Sequence, residues 1–201
     1  MNTIAQTKVD DQLANIEEFL PSPMLEWQRE WLGAALQPGV QIAAASLGRG
    51  SGKTQLMGAL AASAISPSGC LFKPAARIMV ASASTAQATL VLRDVATALG
   101  IDPNNKGEQY GWRYQESAQR NRITHLATDT YLDLLSSSSR QALGYRPDLV
   151  ICDEPAAWPP NDGAYLYAAL KTSLTKRPNA CLLYTSPSPR DRQKSRMPSS
   201  A

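Results

Sequence analysis

The stretch that most restricts how this chain can fold is Ser46-Leu47-Gly48-Arg49-Gly50-Ser51-Gly52-Lys53-Thr54. A short apolar run, residues 41–45, precedes it, and a helix-compatible run, residues 55–65, follows it. Strand, glycine-rich turn and a helix opening on Lys-Thr are the parts of a phosphate-binding loop. Gly48, Gly50 and Gly52 permit positive φ, which turns backbone N–H groups toward a common anion. The N-terminus of the following helix adds its dipole at the same point. Lys53 supplies a mobile charge for β- and γ-phosphate oxygens, and the Thr54 hydroxyl is a ligand for Mg2+. The general pattern G-x-x-x-x-G-K-[ST] asks for glycine at position 47, where Leu47 stands. A flexible glycine turn with no ligand is the competing reading, and a second stretch decides against it.

That stretch is Leu149-Val150-Ile151-Cys152-Asp153-Glu154. Its apolar run reads as a buried strand of a parallel sheet, and two carboxylates stand at the C-terminal end, where open α/β sheets bind ligands. Asp153 suits Mg2+, and Glu154 suits the water that attacks the terminal phosphate, as base or positioning group. Alone, the stretch reads better as an acidic turn after a core strand. Paired with residues 48–54 at a spacing of several β–α units, it predicts a P-loop ATPase core that takes ATP and Mg2+.

At 201 residues the chain is long enough for one α/β domain with a real core. No run of eighteen apolar residues exists to span a membrane, and the polar, acidic residues 1–19 lack the order of a signal peptide. Cys70, Cys152 and Cys181 are widely spaced and odd in number. They fit a reducing cytosol rather than a disulfide framework or zinc site. His125, the one histidine, lacks the second group that a metal or nucleophilic site needs and reads as structural.

The net charge of +3 arises at the C-terminal end. Residues 181–201 hold Arg190, Arg192, Lys194 and Arg196 against Asp191; without them, the chain's 20 basic and 17 acidic groups fall to sixteen of each. Residues 1–180 therefore carry no bulk electrostatic footprint for nucleic acid. Proline, serine and arginine without apolar periodicity also set residues 181–201 apart as disordered in composition. Residues 181–191 and 195–201 further resemble a translated sequencing-library adapter. Arg192, Gln193 and Lys194 stand where a short index would fit. The expectation is a non-biological tail, to be left out of fold reasoning, and a native reading frame that continues past Ala180.

In chain order, residues 1–20 form an N-terminal segment with an amphipathic surface helix near 11–19. Residues 24–36 form a second helix, ended by Pro38-Gly39. It carries Gln28, whose amide either pairs with N6 and N7 of adenine or is simply a solvated helix glutamine. Strands are predicted over 76–83 and 131–135, a helix over 85–99 and a polar loop over 101–107. Residues 112–133 are less clear, with short antiparallel strands around 122–126. Strands alternating with helices imply a mainly parallel, doubly wound sheet flanked by helices, with the ATPase domain spanning residues 21–180.

Taken together, Trp27-Gln28 before the first strand, Arg49 inside the phosphate loop and the aliphatic strand ending Asp153-Glu154 resemble the ATPase domain of the large terminase subunit, the DNA-packaging motor of tailed bacteriophages. The segment from Arg140 through Gly144 and Pro147 to Trp158 is similar to the approach to that family's second ATPase motif. The resemblance covers about residues 20–180, and Leu47 suits a family that commonly departs from the first loop glycine.

The resemblance implies a RecA-like fold of the ASCE class, incomplete at its C-terminus. It gives Gln28 to adenine, residues 48–54 to the triphosphate, Thr54 and Asp153 to Mg2+, Glu154 to the attacking water, and Arg49 to the γ-phosphate. An arginine against developing phosphoryl charge is a large catalytic effect; a structural ion pair is the alternative for Arg49. The implied partners are double-stranded DNA, a portal protein, a small terminase subunit and further copies in a ring, in the host cytoplasm with no membrane.

The family's third motif, a strand ending in small hydroxyl residues, would begin where the adapter-like stretch starts; Tyr184-Thr185-Ser186 resembles it superficially. The nuclease domain of the family is expected to be absent. A related DNA helicase or translocase shares these motifs and would be followed by a second ATPase-like domain. A nucleotide-gated binding module would bind tightly without turnover.

Overall fold

One eight-stranded sheet organises the residues that the structure, a computed structural model, describes: 3–48, 50–117, 120–136, 146–175 and 180–187. In chain order the elements are α1 (Thr3–Glu17), α2 (Glu26–Ala35), β1 (Ile42–Leu47), α3 (Lys53–Ile65), β2 (Arg77–Ser82), α4 (Thr85–Ala98), β3 (Gly107–Gln109), β4 (Trp112–Glu116), β5 (Asn121–His125), β6 (Thr130–Ser136), β7 (Leu149–Cys152), α5 (Pro160–Leu174) and β8 (Cys181–Pro187). A single 3-10 turn, Pro155–Ala157, follows β7. The strands lie in the order β1-β8-β7-β2-β6-β5-β4-β3. The first five are mutually parallel, and β6, β5, β4 and β3 continue antiparallel.

Side-chain alternation along the strands makes two cores. Ile78 and Val80 of β2 join Leu149 and Ile151 of β7 under α3 and α4; Met79 and Ala81 join Val150 and Cys152 under α5. Helix α3 lies deepest. Its residues from Leu56 to Ile65 are all buried, and its many alanines suit a helix enclosed on every side.

The α/β sandwich and its mainly parallel sheet agree with the sequence reading. Four details differ. Helix α1 is no mere surface helix: Val9, Leu13 and Ile16, spaced four and three apart, are buried in the main core. Helix α5 was not anticipated, although Leu166, Leu170 and Leu174 recur every four residues and cover the second face. Residues 112–133 resolve into β4 and β5 and lead into β6, with β6 paired to β2 over residues 131–136. Finally, the expected end of the fold at Ala180 is corrected. Residues 181–187 form β8, hydrogen-bonded between β1 and β7, because Leu182 and Leu183 are apolar enough to fill the gap between those strands. Arg49, the 140–145 part of the approach segment and residues 188–201 lie outside the described residues.

Candidate functional site

The phosphate loop forms where β1 hands the chain to α3. Gly50 and Gly52 take positive φ, +74° and +80°, a conformation that other residues adopt only under strain. Leu47, in contrast, is the last residue of β1. At that position the backbone is extended, so the missing glycine of the general motif is not needed. Ser51 Oγ donates to the Gly48 carbonyl at 2.8 Å and closes the turn. Lys53 opens α3 and curls back into the loop: its Nζ donates to the carbonyls of Leu47 at 2.8 Å and Gly48 at 2.6 Å, and to Ser51 Oγ at 3.3 Å. Only 5% of Lys53 is exposed, so these oxygens satisfy an ammonium that would otherwise be costly to bury. Among the described residues no carboxylate forms an ion pair with it. Thr54, beside it, is exposed.

Helix α2 braces this loop through three side chains. Trp27 Nε1 donates to the Ser51 carbonyl at 3.1 Å, Trp31 Nε1 to the Ala44 carbonyl at 2.8 Å, and Gln28 Nε2 to the Gly52 carbonyl at 3.2 Å. Gln28 Oε1 also accepts the Leu25 N–H at 2.8 Å, the return half of a capping box. With 3% of its surface exposed and both ends of its amide engaged, Gln28 clasps the loop to α2. It is not a solvated helix glutamine. A base-reading role would first have to open these two bonds.

The acidic pair stands two strands away, beyond β8. Asp153 Oδ1 accepts the Thr185 hydroxyl at 2.9 Å, and Thr185 Oγ1 in turn accepts the Glu154 N–H at 3.0 Å. Burial pushes the Asp153 carboxyl above the ordinary carboxylate range, against the pull of the Thr185 bond and the Lys53 charge. Burial and the neighbouring Asp153 charge push the Cys152 thiol up to about 12, leaving it inert. Glu154 has φ 46° and ψ 53°, the left-handed region, at a cost of about 1 kcal/mol for a residue with a Cβ. Strain of this kind gathers at sites where a side chain must be aimed. Trp158 holds the turn from the other side, with Nε1 donating to the Asp153 carbonyl at 2.9 Å. It packs so closely that a Cβ at Gly163 would lie 2.4 Å from the Trp158 Cβ.

The donor set suits magnesium. Mg2+ is a hard cation that takes few protein ligands and keeps its waters or substrate phosphates. A carboxylate with one oxygen bonded to Thr185 and a hydroxyl at the start of α3 fit that habit. Among the described residues no cluster of three or more His, Cys, Asp or Glu groups exists for a softer or all-protein metal site. His125 is structural: its ring lies 4.7 Å from Trp112, and Nδ1 is 2.8 Å from Thr128 Oγ1.

The structure thus brings Gly48, Gly50, Ser51, Gly52, Lys53 and Thr54 into one loop, with Asp153 and Glu154 across β8 from it. It adds Trp27, Trp158 and Thr185. Trp27 and Trp158 entered the sequence reading only as parts of the segments that carry the resemblance, with no contact assigned to either. Thr185 lies in the stretch whose composition argued against fold at all.

Comparison with known proteins agrees with this geometry. The family described as "Terminase large subunit, ATPase domain" matches residues 31–198. The large terminase of bacteriophage HK97 superposes with a TM-score of 0.71 at 21% identity, over 88% of this chain and 37% of that one. The large terminase ATPase domain of Thermus phage P74-26 superposes with a TM-score of 0.60 at 18% identity, over 84% and 66%. The chain thus spans little more than a third of the HK97 protein. No curated protein sequence matches it. With the family match covering most of its length and the fold shared with two phage large terminases, the chain belongs to the ATPase-domain family of terminase large subunits.

Proposed function

We propose that this chain binds ATP with Mg2+ and hydrolyses it as the motor domain of a tailed-phage packaging machine. The observation that carries the reading is the convergence of the Lys53 loop and the Asp153-Glu154 turn on one edge of the sheet, separated only by β8.

The loop amides and the N-terminus of α3 orient the triphosphate. The Lys53 ammonium exchanges its carbonyl partners for β- and γ-phosphate oxygens. Thr54 and Asp153 would hold Mg2+, which supplies charge neutralisation on the phosphates when bound. Glu154, aimed by its left-handed backbone and tethered through its N–H to Thr185, orients the attacking water and takes its proton. Arg49 would act on the γ-phosphate, the role the family resemblance gives it, and Gln28 serves beside the nucleotide as brace or base reader. Double-stranded DNA is the cargo; a portal protein, a small terminase subunit and further copies of the chain in a ring are the partners, in the host cytoplasm.

The adapter-like origin of residues 181–201 belongs to the same proposal. The family's third motif is a strand ending in small hydroxyl residues; β8 lies between β1 and β7, and Tyr184-Thr185-Ser186 near its end resembles that motif superficially. Re-reading the gene past codon 180 from an independent library tests it: a continuation that again encodes a strand ending in small hydroxyl residues is expected, so that the hydroxyl partner that Thr185 gives Asp153 and Glu154 is kept, and the same tail with a stop codon would overturn it.

The function is tested by phosphate release and nucleotide binding in Lys53→Ala and Glu154→Ala. Both should abolish hydrolysis, a loss of about a thousandfold or more, while binding largely survives only in Glu154→Ala. Equal loss of binding in both would remove Glu154 from its role.

A further inference from the structure

Among the described residues, one buried side-chain polar atom has no hydrogen-bond partner: Oγ of Ser82. The residue has no exposed surface. A hydroxyl buried in this way is unfavourable unless something completes it, and in a folded protein such an atom calls for an explanation.

Its place in the sheet supplies one. On β2, Ile78 and Val80 face the core under α3 and α4, and Ser82 is the next residue on that face. On β7, Leu149 and Ile151 face the same core and Asp153 follows; on β8, Leu183 does and Thr185 follows. Ala81 pairs with Cys152, and Cys152 with Tyr184. The Asp153 N–H donates to the Ala81 carbonyl at 2.8 Å, extending the ladder one step. Ser82, Asp153 and Thr185 therefore form a single row across three neighbouring strands, on one face, at the edge that carries the candidate site. Thr185 takes Oδ1 of Asp153 from one side. Ser82 flanks the same carboxylate from the other and makes no direct bond to it.

We propose that Ser82 is a positioning residue of the magnesium–nucleotide site. Its hydroxyl holds one water of the hydrated cation against the second oxygen of Asp153, so that the carboxylate is fixed from both sides, by Thr185 directly and by Ser82 through water. Outer-shell partners of this kind set the orientation and affinity of a metal ligand, and a bridging water is nearly as good a link as a direct bond. The inference rests on the nucleotide reading above and deepens it.

The test uses the full chain with a fluorescent, non-hydrolysable ATP analogue, titrated with Mg2+ or held in EDTA, together with the thermal midpoint. Ser82→Ala is expected to raise the half-saturating Mg2+ concentration about tenfold. Analogue binding in EDTA should be unchanged, and the thermal midpoint should be unchanged or higher, because an unsatisfied hydroxyl has gone. Ser82→Thr keeps the hydroxyl and should keep the wild-type Mg2+ midpoint. An unchanged Mg2+ midpoint in Ser82→Ala, or equal weakening with and without Mg2+, overturns the role of Ser82 alone. A wild-type chain whose analogue binding ignores Mg2+ overturns the nucleotide reading and this inference with it.

Discussion

The two halves of the sheet treat their charged groups in opposite ways. In the antiparallel half, Arg122 of β5 is locked onto Asp133 of β6 and stacks on Tyr131, 3.8 Å from the ring centre. Arg93 of α4 grips Glu116 with two bonds of 2.9 Å, and Arg113 pairs with Glu108 at 2.6 Å. In the parallel half, Lys53 is buried without a carboxylate partner among the described residues, Asp153 is raised rather than lowered by its surroundings, and the Ser82 hydroxyl has no hydrogen-bond partner. Ion pairs tie the antiparallel half together; in the parallel half the pair of Lys73 and Asp148 lies at the opposite end of β7, and the groups of the candidate site rest on carbonyls and hydroxyls instead. A carboxyl raised by burial beside a positive group, as Asp153 is beside Lys53, is a mark of a candidate functional site.

The sharpest way to break that contrast is to exchange the two kinds of loss. Lys53→Ala should abolish turnover, about 4 kcal/mol in transition-state terms, and leave the thermal midpoint almost unchanged, since its bonds are to loop carbonyls that water can reach once the side chain is gone. Arg122→Ala should do the reverse. Breaking a largely buried pair costs about 3 kcal/mol of stability, read as a lower midpoint in denaturant, with nucleotide affinity intact at temperatures where the variant is folded.

Gln28→Ala sharpens the boundary between brace and site. Removing the clasp on Gly52 should weaken nucleotide binding by about fivefold, equivalent to one ordinary hydrogen bond. If Gln28 acts only as a brace, ATP and GTP lose affinity equally; loss of ATP preference alone would give it to adenine. The smallest effect lies in the pH dependence of the structural half. Arg93 holds the Glu116 carboxyl down to about 2, from an ordinary value of 4.5. The unfolded chain therefore takes up that proton first as the medium is acidified. The contribution is complete above about 4.5 and disappears as pH falls toward 2. Glu116→Gln should flatten the slope of the thermal midpoint across that window.

Much of the parallel half was legible because its chemistry is local. Gly50, Gly52 and Lys53 are neighbours in sequence, and the run from Leu149 to Glu154 is apolar up to two adjacent carboxylates. The rest of the site depends on contacts that composition does not encode. Trp27 reaches Ser51 and Gln28 reaches Gly52 across twenty-four residues, and Thr185 reaches Asp153 across thirty-two. Ser82 looked like any strand residue until its row was known. The antiparallel half was read only in outline because its strands are short and interleave charged residues, Glu108, Arg113, Glu116, Arg122 and Asp133, with the apolar ones. There, cross-strand pairing with Asp133 and with Arg93 on α4, rather than a hydrophobic period, sets the structure.

The most direct test of this contrast is calorimetric titration of a Mg2+-bound, non-hydrolysable ATP analogue into the folded wild-type, Lys53→Ala and Arg122→Ala chains. Binding should be measurable in wild type and Arg122→Ala and lost in Lys53→Ala. Equal weakening in both variants would contradict the contrast, because nucleotide binding would then depend on the fold as a whole and not on the groups that the parallel edge leaves unmatched.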